Sequence, residues 1–131
     1  KQLENASREQ RRRDQALLDT YSMPEDIDLA QRKAEADVNL AILATITRID
    51  QARTQRKKFE DEAEFYKTKA LPPDLERDLR ALDHEIKLQQ DLLDIKKREF
   101  DVIKAKYDTD RKRYFELTRR PLAPTAPAPS R

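Results

Sequence analysis

Apolar residues in the second half of the chain recur at alternating intervals of four and three residues. Thirteen positions follow this spacing without a break, and ten of them are apolar or tyrosine. Such a repeat places one apolar seam along a helix and is typical of a coiled coil. The positions of this second-arm seam are Leu75, Leu79, Leu82, Ile86, Gln89, Leu93, Lys96, Phe100, Ile103, Tyr107, Asp110, Tyr114 and Leu117.

The first half of the chain repeats the same spacing, and seven of nine positions there are apolar. This first-arm seam consists of Val38, Ile42, Thr45, Ile49, Ala52, Arg56, Phe59, Ala63 and Tyr66. Two such arms joined by a short turn predict an all-α fold, a long antiparallel helical hairpin that forms a coiled coil. Polar residues inside a seam can set its register. We assign that role to Arg56, Gln89, Lys96 and Asp110.

Prolines and a capping pattern mark the segment boundaries. Pro72 and Pro73 end one helix, and Ser22 followed by Glu25 forms a capping-box pattern around Pro24 that starts another. The chain is thereby divided into a polar N-terminal helix (1–20), a first arm (21–70), a Pro-Pro turn (71–74), a second arm (75–120) and a Pro/Ala tail expected to be disordered (121–131).

Each arm carries further apolar residues away from its seam. The first-arm stripe is Leu29, Ala36, Leu40, Leu43 and Ile46, and the second-arm stripe is Leu88, Leu92, Ile95 and Val102. A lone hairpin would leave both stripes in water, which folded proteins avoid. We therefore expect a homodimer whose stripes pack into a four-helix region near residues 36–50 and 88–106. Alternatively, residues 1–20 fold back over the stripes, although Leu3, Leu17 and Leu18 offer little apolar surface for this.

Composition narrows the class of protein. Charged residues make up 41% of the chain, and there is no Gly, Cys or Trp. This excludes a disulfide scaffold, a Gly-rich phosphate loop, a dinucleotide fold and a transmembrane span. The 28 basic and 26 acidic residues are well mixed, so no nucleic-acid partner is expected. The acidic start of the first arm should lie beside the basic end of the second, which contains Arg111, Lys112, Arg113, Arg119 and Arg120.

No arrangement of residues indicates catalysis or cofactor binding. His84 is the only histidine and there is no cysteine, so a zinc site lacks ligands. No serine has a plausible histidine partner. We expect no enzyme activity, no metal and no cofactor. Phe65 and Phe115 lie off the seams and are the better aromatic candidates for a partner contact.

A short stretch resembles a known group of proteins. The residues Leu17–Ser22 (LLDTYS) and Glu25–Ala30 (EDIDLA) resemble the coiled-coil part of uncharacterised proteobacterial cell-envelope proteins. In that group a secretion signal and a small N-terminal domain of unknown function come first, and heptads follow. Met23 and Pro24 stand where the group has a polar pair, and the chain lacks the small domain. The resemblance implies the periplasm or cell envelope and an envelope protein as partner, but no activity.

These observations favour a non-enzymatic coiled-coil module that self-associates as a scaffold or spacer of the bacterial envelope. Two alternatives stay open: a periplasmic chaperone-like clamp that holds client chains, and a helical hairpin of an export or adaptor assembly. Because the chain does not begin with Met and has no apolar leader, we expect it to be an excised segment or a processed chain.

Overall fold

The computed structural model describes residues 1–119 of the chain. Within them there are three α-helices and no strand: α1 (Gln2–Thr20), α2 (Pro24–Ala63) and α3 (Pro73–Arg119), with a 3₁₀ turn at Glu64–Tyr66. Arg120 and the predicted Pro/Ala tail lie outside the described residues. The described chain is thus all-helical, as the sequence predicts, and α2 and α3 pack closely together.

The helices form two compact units. The first unit combines Lys1–Glu35 with the described residues from Asp101 onward, and the second unit is Ala36–Phe100. Helices α2 and α3 contribute to both units, whereas α1 belongs to the first.

A carboxylate shapes the junction between α1 and α2. Asp26 Oδ2 accepts hydrogen bonds from the backbone amides of Ser22 (2.9 Å) and Met23 (3.2 Å). Helix α2 begins at Pro24, so Asp26 is its third residue, the position from which a side chain reaches back to the preceding amides. The sequence pattern pointed to Glu25, one residue too early. Among the described residues no backbone φ is positive, so the junction has no conformation that would require glycine.

Three aromatic and aliphatic residues form the core of the first unit. Tyr21, Ile27 and Tyr114 are buried together, and Ile27 is fully enclosed. Leu17, Ala30 and Tyr107 pack around this cluster. The Tyr114 hydroxyl donates a hydrogen bond of 3.2 Å to the Tyr21 carbonyl oxygen. All three helices therefore meet in this unit.

An ion pair also links α2 and α3 in the first unit. Arg111 donates to Asp28 Oδ1 from Nη2 (2.9 Å) and Nε (3.1 Å), and Nη2 also donates to Gln31. Asp28 belongs to the acidic start of the first arm and Arg111 to the basic end of the second. In this unit Tyr114 bonds to Tyr21, and Arg111, which comes earlier in α3, bonds to Asp28, which comes later in the chain than Tyr21. Helices α2 and α3 therefore run antiparallel.

The predicted seams form the contact between α2 and α3 in the second unit. Val38, Ile49, Ala52 and Leu75 are buried, and every other seam position of this unit is buried or half-buried. The buried Thr45 hydroxyl donates to the Ala41 carbonyl oxygen at 2.8 Å, so it is not left unsatisfied. The spacing of four and three residues therefore identified the buried face of each helix.

Candidate interaction surface

The first-arm stripe lies on the surface of α2. In the second unit, Leu40 is 66% and Leu43 60% exposed, and Ala36 and Ile46 are also exposed. In the first unit Leu29 is exposed as well. Singly exposed leucines are common on proteins, but a row of them on one helix face marks an interaction site.

The part of α2 that carries Leu40, Leu43 and Ile46 has no charged residue. From Val38 to Thr47 ten consecutive residues are uncharged, in a chain with 41% charged residues. Asn39, Ala44 and Thr47 are exposed beside the leucines. Ala44 and Thr47 were not among the predicted interface residues, because small and weakly polar side chains give little signal in a hydrophobic pattern. Both nevertheless lie within the uncharged stretch Val38–Thr47.

The second-arm stripe is less continuous. Leu88, Ile95 and Val102 are exposed, and Leu92 is half-buried. Val102 belongs to the first unit and the other three to the second. Four residues after Ile95 the same face of α3 carries Glu99, which is 3.9 Å from Lys96 Nζ. The stripe on α3 is therefore interrupted by a carboxylate.

Helix α1 does not cover the stripe residues of its own unit. Leu17 packs against the core of the first unit, and Leu3 is exposed. The stripe residues other than Leu92 remain exposed. In the first unit, which contains α1, both Leu29 and Val102 are exposed, so shielding by residues 1–20 does not occur within that unit.

Arg56 is the predicted register residue with hydrogen bonds to both helices of the second unit. Its Nη1 lies 2.6 Å from Glu60 Oε2 on α2, and its Nε donates to Asp83 Oδ1 on α3. The bond to Asp83 raises the pKa of Arg56, and the same bond lowers the pKa of Asp83. Arg56 therefore bridges α2 and α3 in the second unit, and its role in setting their register stays a prediction.

The other predicted register residues form hydrogen bonds or ion pairs within α3. Gln89 Nε2 donates to Glu85 Oε1 at 2.9 Å, and its Oε1 is buried without a hydrogen-bond partner. Lys96 is half-buried near Glu99, and Asp110 accepts a bond of 2.9 Å from Lys106 Nζ. That bond raises the pKa of Lys106. The register role of these three residues stays a prediction.

A charged pair that the sequence did not reveal holds α1 against α3 in the first unit. Arg113 donates to Asp14 from Nε (2.9 Å) and Nη2 (2.7 Å), and the Asp14 side chain is only 14% exposed. The hydrogen bonds from Arg113 lower the pKa of Asp14 to about 2. An open groove of about 710 Å³ lies beside this pair, with Leu17, Tyr21 and Lys106 in its wall. No pattern of spacing predicts a contact between residues so far apart in the chain.

The contacts described above are apolar packing contacts, hydrogen bonds and ion pairs. In residues 1–119 no three His, Cys, Asp or Glu side chains are grouped so that they could hold a metal ion. His84 is exposed. None of the helices in this part of the chain has an apolar stretch of the length needed to cross a bilayer. Phe65 is 84% exposed, and Phe115 is partly exposed beneath the Arg119 guanidinium.

Comparison of the chain with protein-family models, with curated proteins and with solved structures found no match. The function is therefore inferred from the residues of this chain.

Proposed function

We propose that this chain is a non-enzymatic interaction module in which α2 and α3 form a coiled-coil hairpin and which self-associates as a homodimer. Its role would be that of a scaffold or spacer. The observation that carries this proposal is the exposed apolar face of α2, which lies on the uncharged stretch Val38–Thr47.

The energetics favour burial of this face in a contact with another chain. Completing the burial of Leu40 and Leu43 would stabilise the contact by about 1–2 kcal/mol for each side chain, because burying an exposed leucine removes its apolar surface from water. The centre of a protein interface is typically depleted in charge. The uncharged stretch of α2 has this character, and no other run of residues between 1 and 119 is uncharged over the same length. Leu88, Leu92 and Ile95 on α3 add apolar area in the second unit, as the four-helix region would require.

The proposed location is the bacterial cell envelope, and it depends on the sequence resemblance. Leu17, Tyr21, Ile27 and Ala30 belong to the resembling stretch, and they pack into or around the core of the first unit. The resemblance thus falls on residues with a structural role at the α1–α2 junction. An envelope protein is the proposed second partner. Fractionation of cells that produce the full-length protein tests the location, and recovery in the cytosolic fraction would contradict it.

Size-exclusion chromatography with light scattering tests self-association. At tens of micromolar we expect twice the chain mass of 15.5 kDa. Leu43→Glu places a charge in the apolar face and should lower the mass to that of one chain. Ala105→Glu is the matched control, because it places the same charge at an exposed position of α3 outside both stripes. A single-chain mass for the unchanged protein would contradict the proposal.

A chaperone-like clamp is a second candidate, favoured by one observation. Phe65 is 84% exposed in the 3₁₀ turn after α2, where a client chain would have access to it. A clamp should suppress the aggregation of chemically reduced insulin, and Phe65→Ser should weaken this effect. Unchanged insulin aggregation at a molar excess of the protein would contradict this candidate.

A further inference from the structure

We infer that the contact between copies is made by α2 against α2 of a second copy, with the two helices antiparallel and Leu40 of each opposite Leu43 of the other. The inference deepens the proposed self-association and rests on it. It assigns the helix, the direction and the register of the contact.

The spacing of the exposed residues on α2 has a symmetry that permits this pairing. Ala36, Leu40, Leu43 and Thr47 follow one another at intervals of four, three and four residues. We call these four the α2 contact face, and all four are exposed. The sequence of intervals is the same read in either direction, so two copies related by a two-fold axis present the same ridge to each other. With the axis between Leu40 and Leu43, Ala36 lies opposite Thr47 of the second copy.

Charges at the two ends of this face favour the antiparallel direction. Glu35 and Asp37 lie at the N-terminal end and Arg48 lies at the C-terminal end, and Lys33 and Asp50 are the next charges outward. Antiparallel pairing brings Glu35 and Asp37 of one copy close to Arg48 of the other. Parallel pairing would place Asp37 beside its own copy and Arg48 beside its own copy. Like charges that lie side by side oppose association.

Side-chain size is also suited to a close helix contact. Ala36, Ala44 and Thr47 are small, and they flank the larger Leu40 and Leu43 along the exposed side of α2. Small residues let two helix backbones approach while leucines fill the space between them. On α3 the corresponding face ends at Glu99, and Asp91 and Asp94 stand beside its leucines. A symmetric contact through α3 would bury more charge than one through α2.

Disulfide cross-linking between two single-cysteine variants tests the register. The chain has no cysteine of its own. Ala36→Cys and Thr47→Cys are produced separately, mixed in equal amounts, unfolded and refolded together under reducing conditions, and then oxidised with copper phenanthroline. The products are identified by intact mass, and the helix content and the mass of each reduced variant are measured first.

The antiparallel register predicts a mixed disulfide between residue 36 of one copy and residue 47 of the other as the main cross-linked product. Each variant alone should remain uncross-linked, because its two cysteines would be roughly 16 Å apart along the helices at 1.5 Å per residue. A disulfide needs Cα atoms within about 7 Å.

The other outcomes separate this inference from the proposed self-association. Cross-linking of each variant with itself would overturn the antiparallel direction. A two-chain mass without any cross-link would overturn the contact through α2 and leave self-association standing. A single-chain mass for the unchanged protein would overturn both.

Discussion

Arg56 shows how a charged residue is accommodated in a helical seam. It is half-buried, lies 2.6 Å from Glu60 on its own helix and bonds to Asp83 on the facing helix. Because both carboxylates are on the surface, the guanidinium stays near water while its aliphatic part lies in the seam. The ion pairs therefore link the two helices without a large cost of burying charge.

Protonation of Asp14 at acidic pH should weaken the contact between α1 and α3. The hydrogen bonds of Arg113 favour the ionised carboxylate and lower its pKa from 3.8 to about 2. A lowered pKa means that the stabilisation is fully present above pH 3.8 and is lost as the pH falls towards 2. Hydrogen–deuterium exchange of α1 amides should therefore increase across that window.

Asp14→Asn provides the control for this effect. It keeps a polar side chain but removes the charge, so α1 should be less protected at neutral pH and should change less between pH 4 and 2. Equal pH dependence in the variant and in the unchanged protein would show that Asp14 is not the titrating group.

Residue contacts were the part of the structure that the sequence predicted least. Asp14 and Arg113 are joined by a bidentate pair, but 99 positions separate them and neither lies in a repeat. From the sequence alone, many other arginines are equally good ion-pair partners for Asp14. The capping carboxylate was misplaced by one residue, to Glu25, since a cap depends on which residue begins the helix. Such contacts depend on where whole helices lie, and a local pattern does not contain that information.

Helix α2 illustrates what a local pattern does contain. Its seam was predicted from spacing alone, because burial along a helix follows the helical period. The first arm was predicted to run to residue 70, whereas helix α2 stops at Ala63. A 3₁₀ turn and a hydrogen bond from the Lys69 amide to the Tyr66 carbonyl oxygen follow before Pro72. Proline disfavours helix in the residue before it, and reversing the chain without glycine takes several residues.

Docking of α1 should depend on Ile27, the fully enclosed residue of α2. Ile27→Ala should destabilise the first unit by about 2–5 kcal/mol, the usual cost of removing a buried isoleucine side chain. Hydrogen–deuterium exchange should show lost protection in α1. Ile49→Ala is the matched control, since Ile49 is buried in the second unit. If Ile49→Ala released α1 to the same extent, the docking would not depend on the Ile27 cluster.

At the scale of the whole molecule, self-association should couple folding to concentration. A chain that unfolds from a dimer has a melting temperature that rises with protein concentration, because dissociation accompanies unfolding. We expect this rise for the unchanged protein in circular dichroism between one and one hundred micromolar. Leu43→Glu should abolish the rise, whereas Ala105→Glu should retain it. A melting temperature independent of concentration in the unchanged protein would argue against a dimer.

Between Ala36 and Ile49, α2 carries two sets of constrained positions. The seam residues Val38, Ile42, Thr45 and Ile49 support the fold of one chain, and the α2 contact face would support assembly. Few positions in this stretch are therefore free to mutate without consequence. In a library of variants, selection for folding alone should preserve the seam residues and tolerate substitutions in the α2 contact face. Selection for assembly should preserve both sets, and relatives of this chain should diverge more slowly here than along α1.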